Sequence, residues 1–156
     1  MKASGKNVSN RKKREKDNVL EKTRDIASDL SRLGSFDEIL EYLITYVTQT
    51  LEAERGSLFL HDPAAHQLYT RVALGNLSRE IRIDEQSGIA GWVFMNAEAT
   101  IVNSPYKDER FNKEVDERTG YQTKSIICVP IFSTGDIPIG VLQVLNKQTG
   151  RFTKAD

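Results

Sequence analysis

The chain has 156 residues, enough for one domain with a substantial core. Its 22 basic and 22 acidic residues balance, so no global field directs it to nucleic acid or to a membrane surface. No stretch approaches the roughly 18 apolar residues of a membrane span, and no signal-peptide core begins the chain, so we expect a cytoplasmic protein. One cysteine excludes internal disulfides, and two histidines leave little material for a metal centre, so no metal is expected.

The first 34 residues contain two segments of different character. Residues 1–17 are polar and rich in Lys and Arg, and we predict a disordered basic tail. Because no aromatic residues interleave the charges, we expect no nucleic-acid partner. Residues 18–34 are predicted to form a helix, with a narrow apolar stripe at heptad-like spacing formed by Val19, Thr23, Ile26, Leu30 and Leu33. Such a stripe suits one partner helix and therefore predicts a homodimer stalk; the alternative is a monomeric helix lying on its own domain.

A second helix follows at once. Gly34 ends the first helix, and Ser35 to Glu38 form a capping box that begins the next one. Its apolar stripe is wide and must cover a sheet or another helix. The stripe comprises Phe36, Ile39, Leu40, Leu43, Ile44, Val47 and Leu51.

From here the apolar period changes from helical to alternating. Strands are predicted at 57–61, 67–74, 80–83, 100–102, 125–132 and 139–145, with a helix at 88–97 and a partly helical segment at 108–120. Pro130 predicts a sheet edge or a bulge. This order indicates an α+β fold: an antiparallel sheet with helices packed on one face and a ligand-capping helix and loop region on the other.

The run Ser87-Gly88-Ile89-Ala90-Gly91 stands between a predicted strand and a predicted helix. Small residues let a ligand approach the backbone, and first-turn N–H groups favour an anion. A phosphate could therefore bind at Ile89 and Ala90. An ordinary tight turn would need the same glycines, so both interpretations stay open.

Residues 110–123 form the second candidate, a charged segment that also carries an aromatic, an amide and two threonines. Asp116 can accept a hydrogen bond from an exocyclic amine, and Thr119 and Thr123 can donate or accept at a base edge. The alternative is a surface helix ended by a glycine. Nucleophilic catalysis is not indicated, because Cys128 lies inside an apolar strand, where a thiol is usually inert. We therefore predict no enzymatic activity.

The last candidate lies at the end of the printed sequence. Asn146 and Lys147 close the last strand, and Phe152 and Asp156 follow where another helix would begin. A bridge between Lys147 and Asp156 would tie the strand to that helix and brace any cavity that the strand lines. An exposed pair stabilises by only about 0–1 kcal/mol, so its value would be geometric. The alternative is two unrelated surface charges.

These four residues match a motif written N-K-x(n)-F-x3-D-E, whose last Glu would fall after Asp156. Further matches occur in order at 55–60, 80–83, 88–91, 115–123 and 126–131. Residues 35–156 therefore resemble a GAF domain, the small-molecule sensor module shared by cyclic-nucleotide phosphodiesterases and bacterial adenylate cyclases. The resemblance implies a GAF domain that stops before its C-terminal helix.

The resemblance also implies roles for individual residues. Ser57 would meet the purine, and Ile89 and Ala90 would offer backbone N–H groups to a cyclic phosphate, with Asn112 near that phosphate. The capping residues Asp116, Thr119 and Thr123 would lie over the base and ribose. Structural bracing would come from Asn146, Lys147, Phe152 and Asp156. Some members carry an aromatic over the base where this chain has Val72-Ala73-Leu74-Gly75.

The function that the resemblance implies is regulatory. The domain would bind cyclic AMP or cyclic GMP without a cofactor. It would signal to a covalently linked effector domain through a helical dimer stalk. Two alternatives stay open: a GAF domain for a different small ligand, and a ligand-free dimerisation module. Tetrapyrrole-binding and haem-binding branches fit poorly, because Cys128, His61 and His66 are not where those chemistries need them. Methionine sulfoxide reductases use several cysteines, and this chain has one.

Overall fold

The computed structural model describes residues 21–29, 31–74 and 80–156. The predicted basic tail, the heptad positions Val19 and Leu30, and Gly75 lie outside these residues. The chain divides into two compact units, Met1–Ile39 and Leu40–Asp156. In the first unit, helix α1 covers residues 21–29, and a turn at residues 31 and 32 precedes Gly34. The capping box forms as predicted: Glu38 N–H donates to Ser35 Oγ at 3.2 Å, and Ser35 N–H donates to Glu38 Oε2 at 3.1 Å.

The remaining elements follow in chain order. They are α2 (Phe36–Thr50), β1 (Ala53–Asp62), β2 (Gln67–Ala73), β3 (Arg82–Asp84), α3 (Gly88–Asn96), β4 (Thr100–Val102), a 3-10 turn (Pro105–Lys107), α4 (Lys113–Thr119), β5 (Ile126–Phe132) and β6 (Pro138–Lys147). None of the helices in the described ranges is long and apolar enough to span a bilayer.

The six strands form one antiparallel sheet in the order β3-β2-β1-β6-β5-β4. This arrangement confirms the α+β prediction. Strand β4 pairs only with residues 126–128 of β5, so Pro130 lies where β5 has no outer neighbour. A register shift follows between Ile131 and Phe132. Pro130 therefore lies at a local edge of the sheet, close to a bulge, as predicted from the sequence.

Helix α2 covers one face of the sheet and approaches it closely at a glycine. A Cβ atom at Gly56 on β1 would lie 2.1 Å from Thr48 Oγ1 and 3.0 Å from Ile44 Cγ2. Thr48 tolerates burial because its hydroxyl donates to the Ile44 carbonyl at 2.7 Å. The predicted inward position of Phe36 is wrong, since its side chain is 65% exposed. Phe36 precedes Ile44 by eight residues, about 12 Å along the helix, and so lies well before this close contact.

Helix α3 covers the opposite face. It contacts β5 and β6, and it buries Ile89, Ala90, Val93 and Phe94. These side chains join the main core cluster, together with Phe59 from β1. A smaller cluster on the α2 side contains Val144 and Phe152. Because side chains alternate along a strand, β6 contributes to both clusters, Val141 to the main one and Val144 to the smaller one.

Candidate ligand-binding site

A cavity of about 730 Å³, its open mouth included, lies between the α3 face of the sheet and residues 103–123, called the cap below. All seven residues that the sequence analysis assigned to a ligand line it: Ser57, Ile89, Ala90, Asn112, Asp116, Thr119 and Thr123. The structure therefore brings together residues that are as much as 66 positions apart in the chain (57 to 123).

One end of the cavity is formed by the first turn of α3. The Ser87 side chain does not cap this helix, so it leaves the first-turn N–H groups of Ile89 and Ala90 without that partner. The glycines of this segment are also needed by the tight turn itself, which was the alternative interpretation of the sequence. Gly88 has a φ of +71°, and a Cβ at Gly91 would lie 2.7 Å from the Gln86 carbonyl carbon. A tight turn thus places these amide donors, which have no partner among the described residues, beside the cavity.

Asn112 joins the beginnings of α3 and α4. Its Oδ1 accepts from the Glu114 N–H at 2.9 Å, which caps α4. Its Nδ2 donates to Ser87 Oγ at 2.9 Å. Asn112 therefore fixes the distance between the first turn of α3 and the cap helix.

Asp116 organises the cap from its interior. Its side chain is buried, and its oxygens accept from the Tyr106 hydroxyl at 2.8 Å, the Thr123 N–H at 2.7 Å and the Thr123 hydroxyl at 2.7 Å. The bond from Tyr106 to the carboxylate raises the pKa of that phenol. A carboxylate has about four lone-pair sites, so one is left for the exocyclic amine that the sequence analysis assigned to Asp116.

The hydroxyl of Thr119 also has a partner within the protein. Its hydroxyl donates to the Val115 carbonyl at 2.8 Å, as expected for a helical threonine. Its lone pairs remain able to accept from a ligand. The lone pairs that Thr119 and Asp116 have left are therefore mainly acceptor sites.

The cap is attached to α3 by an arginine. Arg110 pairs with Asp108 at 2.7 Å, and its guanidinium lies 4.5 Å from the centroid of the Trp92 ring. The pair lowers the pKa of the Asp108 carboxyl. Trp92 is the single tryptophan of the chain, so its fluorescence reports on this junction.

A second group, at the opposite end of α4, was not assigned from the sequence. The Arg55 guanidinium lies 3.7 Å from the centroid of the Tyr121 ring, and both residues line the cavity. The Tyr121 hydroxyl donates to Glu54 Oε2 at 2.8 Å across 67 positions of sequence. Burial, first, and this bond to a carboxylate raise the pKa of Tyr121. The available signal was the alternation of β1, which places Arg55 on the same face as Ser57.

The aromatic walls of the cavity likewise do not come from β2, the strand on which some family members carry an aromatic residue. They come from Phe59 on the sheet, Phe111 before α4 and Tyr121 after it. Ile81, Ile83 and Leu145 add aliphatic lining. A flat, largely apolar ligand face can therefore be covered without an aromatic at 72–74.

Asn146 holds the segment that connects the cap to β5. Its side chain is 2% exposed; Oδ1 accepts from the N–H groups of Lys124 and Ser125, and Nδ2 donates to the Gln122 carbonyl and to Glu54. The bond from Asn146 is the largest of the effects that lower the pKa of Glu54.

The other three motif residues meet below the sheet. Lys147 Nζ pairs with Asp156 and also donates to the Leu51 carbonyl at 3.3 Å. The two side chains are each 15% exposed, so this pair is more shielded than a typical surface pair. Phe152 is buried, and its N–H donates to Asn103 Oδ1 at 3.1 Å while its carbonyl accepts from Asn103 Nδ2 at 3.0 Å. Asn103 thus links this corner to the first residue of the cap.

Comparison with known proteins agrees with this geometry. The family model described as GAF domain matches residues 35–156. The chain belongs to the GAF domain family. This GAF domain is 38% identical over 150 residues to the probable 3′,5′-cyclic phosphodiesterase pde-5 of Caenorhabditis elegans, covering 88% of the chain and 20% of the relative. It is 34% identical over 160 residues to the dual 3′,5′-cyclic-AMP and -GMP phosphodiesterase 11 of Drosophila melanogaster, covering 91% of the chain and 11% of the relative. The chain thus spans about a fifth or less of these relatives.

Solved structures show the same fold. The GAF domain of an Acinetobacter phosphoenolpyruvate-protein phosphotransferase has a TM-score of 0.72 at 22% identity, covering 87% of this chain and 81% of that one. The corresponding Coxiella burnetii domain has a TM-score of 0.76 at 18% identity, covering 88% of this chain and 82% of that one. At these identities the likeness concerns the fold alone.

Proposed function

We propose that this GAF domain is a regulatory module that binds a 3′,5′-cyclic nucleotide in the cavity beneath the cap and performs no chemistry on it. One observation carries the proposal: the cavity has unfilled amide donors at one end and polar and aromatic groups at the other. Helix α4 runs between the two ends, and its seven residues span about 10 Å, the scale of a nucleotide. The kinship with proteins named as cyclic-nucleotide phosphodiesterases supports this ligand class.

The charge of the ligand suits the α3 end. A cyclic phosphate carries one negative charge, and the N-terminal turn of α3 offers oriented N–H groups together with the positive end of the helix dipole. Ile89 and Ala90 are each less than 5% exposed, so an anion there would be largely shielded from water. Shielding strengthens the attraction between the phosphate and these donors.

The open volume also favours a ligand over the dimerisation alternative. A domain used only as a spacer would gain stability by filling the space beneath the cap with side chains. Here the groups that point inward include Ser57, Gln143 and Arg55, which are polar. An open, mostly apolar cavity that contains a few polar groups is the arrangement of a ligand site.

Ligand binding would order the cap and shift the helical stalk between two packings, passing the signal to a linked effector domain. A ligand changes such an equilibrium only by its differential affinity for the two states. The cap supplies the difference here, because Asn112 and Arg110 connect it to Ser87 and Trp92 on the α3 side, while Tyr121 connects it to Glu54 on β1. Trp92, which lies against Arg110, gives a fluorescence signal for this ordering.

The test is calorimetric titration of the folded chain with cyclic AMP, cyclic GMP and a neutral nucleoside. Asn112→Asp keeps the oxygen that caps α4 but places a negative charge beside the α3 turn. We expect this variant to bind the cyclic nucleotide at least about tenfold more weakly, close to 1.4 kcal/mol, and the nucleoside unchanged.

Asn96→Asp is the matched control, because it adds the same charge at the exposed C-terminal end of α3. It should leave the affinity for the cyclic nucleotide unaltered. Two results would contradict the proposal: no heat from either cyclic nucleotide on protein shown to be folded, or equal weakening by the two substitutions.

A further inference from the structure

Asn103 begins the cap but is not among the residues that line the cavity. Its side-chain amide is instead bonded to the main chain of Phe152, 49 positions later in the sequence. We propose that Asn103 is a positioning residue that couples the cap to α2, the helix on the opposite face of the sheet. This inference rests on the proposed function and adds to it the route by which a movement of the cap reaches α2.

The two bonds of Asn103 hold the main chain of Phe152. A side-chain amide carries a donor and an acceptor, as a peptide group does. Asn103 Oδ1 accepts from the Phe152 N–H at 3.1 Å, and its Nδ2 donates to the Phe152 carbonyl at 3.0 Å. Two such bonds to one residue are the exchange that opposed residues make in an antiparallel sheet. The amide therefore takes the place of a strand residue beyond Val102, where β4 ends, and a displacement of Asn103 carries Phe152 with it.

This contact lies on the α2 side of the sheet, although the cap covers the cavity on the α3 side. On β4, Val102 belongs to the main core cluster beneath α3, whereas Ile101 packs against the smaller cluster on the α2 side. Because side chains alternate along a strand, Asn103 directs its amide to the same side as Ile101. Its partner Phe152 belongs to the smaller cluster as well. Asn103 therefore connects the two sides of the sheet around the end of β4.

Phe152 is in turn tied to α2. Its side chain is buried in the smaller cluster, against which Val47 of α2 and Leu51, which follows α2, also pack. Lys147 donates to the Leu51 carbonyl at 3.3 Å and pairs with Asp156, which follows Phe152. The segment around Phe152 is thus attached to the end of α2 by packing and by polar contacts together.

Within the cap, a short turn joins Asn103 to the cavity. The 3-10 turn Pro105–Lys107 follows Asn103 almost at once, and its proline is buried. Tyr106 in this turn donates to Asp116 at 2.8 Å, and Asp116 lines the cavity. Close-packed groups of this kind shift between discrete arrangements and do not deform gradually. A ligand that changes the position of Asp116 therefore changes that of Asn103.

The experiment follows the cap and α2 separately in one molecule. Trp92, which lies against Arg110, reports on the cap. An environment-sensitive thiol dye at Gln49→Cys reports on α2, where residue 49 is exposed. The native Cys128 does not compete for the dye, because it is fully buried and burial raises the pKa of its thiol. Titration with cyclic AMP or cyclic GMP should change both signals with the same midpoint.

Removing the amide should separate the two signals. Asn103→Ala should keep the Trp92 response, because Asn103 does not line the cavity, and should lose most of the dye response. Asn103→Asp preserves the side-chain volume but opposes the Phe152 carbonyl with an acceptor, so it should lose the dye response too. Gln148→Ala is the matched control, because it removes an exposed amide close to the same segment, and it should keep both responses.

Four outcomes would overturn the coupling. Three of them concern the variants: a dye response that persists in both Asn103 variants, an equal weakening of the two signals in those variants, or the same loss in Gln148→Ala. Equal weakening would mean that Asn103 only supports the cap. The fourth is a Trp92 response without any dye response in the chain that keeps Asn103. Circular dichroism spectra establish folding, and Asn103→Asp carries the test if Asn103→Ala does not fold.

A ligand-free comparison separates this inference from the proposed function. Arg110→Ala detaches the cap from Trp92, so it should change the dye emission without any ligand, and adding Asn103→Ala should abolish that change. If neither cyclic nucleotide changes either signal on folded protein, the proposed function is refuted, and this comparison still decides whether the cap and α2 are coupled. Equal dye emission with and without Arg110→Ala would then overturn the coupling as well.

Discussion

Replacing Asn146 by alanine should destabilise the domain far more than the loss of one surface amide. The side chain makes four hydrogen bonds, to the Lys124 and Ser125 N–H groups, the Gln122 carbonyl and Glu54. Asn146 also has a φ of +58°, a left-handed conformation that asparagine tolerates better than alanine does. The substitution therefore removes bonds and adds backbone strain together.

The magnitude follows from these contacts. A neutral hydrogen bond contributes about 0.5–1.5 kcal/mol, and the left-handed backbone costs an alanine roughly 1–2 kcal/mol more. The three bonds to main-chain groups and the strain together give a loss of about 3–6 kcal/mol. A domain of this size unfolds with about 5–15 kcal/mol, so roughly half of the stability is at stake.

Urea unfolding gives the free energy of unfolding, and heating gives the thermal midpoint. Both are followed by the fluorescence of Trp92 and by circular dichroism. A loss of this size should lower the thermal midpoint by about 10 °C or more. Asn96→Ala is the matched control: its amide makes one exposed bond, to the Trp92 carbonyl at 2.8 Å, and its removal should change stability by less than about 1 kcal/mol.

A free energy of unfolding for Asn146→Ala within about 0.5 kcal/mol of the unaltered value would refute this reasoning. It would mean that water replaces the amide without cost, and that the connection between the cap and β5 does not depend on this residue. Asn146→Gly tests the contribution of backbone strain, because it removes the same hydrogen bonds as Asn146→Ala but relieves the strain. Asn146→Gly should therefore be more stable than Asn146→Ala.

Two further predictions concern packing and pH. Gly56→Ala should destabilise the domain strongly, because its Cβ would lie 2.1 Å from Thr48 Oγ1; adding Thr48→Ala should restore part of the loss, measured as a double-mutant cycle. An additive result would refute the close contact. Lys147 and Thr153 lower the pKa of Asp156, so its carboxylate adds stability above the unfolded-state pKa near 3.8, which is lost as the pH falls. Asp156→Asn should therefore lower the thermal midpoint at pH 7 but not at pH 2; an equal loss at both would exclude an electrostatic role.

The elements of the fold were predictable because they depend on local pattern. Alternation of apolar residues located the strands, and the sheet they form is the predicted antiparallel one. The strand of Ser57 is longer than its apolar run, since β1 begins at Ala53 and pairs with β6 along most of its length. Pairing extends a strand through residues such as Glu54 that have no strand pattern of their own.

Burial was less predictable, because it depends on what faces a residue. Phe36 shares the apolar stripe of α2 and is nevertheless exposed, whereas Thr48, a polar residue, is buried. The reason is Gly56, whose missing side chain brings the sheet against one part of the helix. The helical period alone carries no information about a glycine on another strand.

The candidate site also contains residues that the sequence predicted and residues that it did not. Residues placed by a turn or a helix, such as Ile89 and Asn112, were predictable from local sequence together with the family resemblance. The group of Arg55, Glu54 and Tyr121 was not, because its contacts join positions 67 residues apart. Asn146 was expected to brace the site, but its bonds to residues 122–125 follow only from the way β5 returns beside β6.

The alternation of β1 limits how this domain can change. Gly56 meets α2 on one side of the sheet, while Arg55 and Ser57 meet the cavity on the other. A slip of one position would press a guanidinium against Ile44 and turn a glycine toward the cavity. In a saturation mutagenesis screen, substitutions at each of positions 55–57 should therefore impair the domain. Substitutions at position 56 should impair folding, and those at positions 55 and 57 should impair the cavity. An insertion of one residue in this strand would exchange its two faces from that position onward.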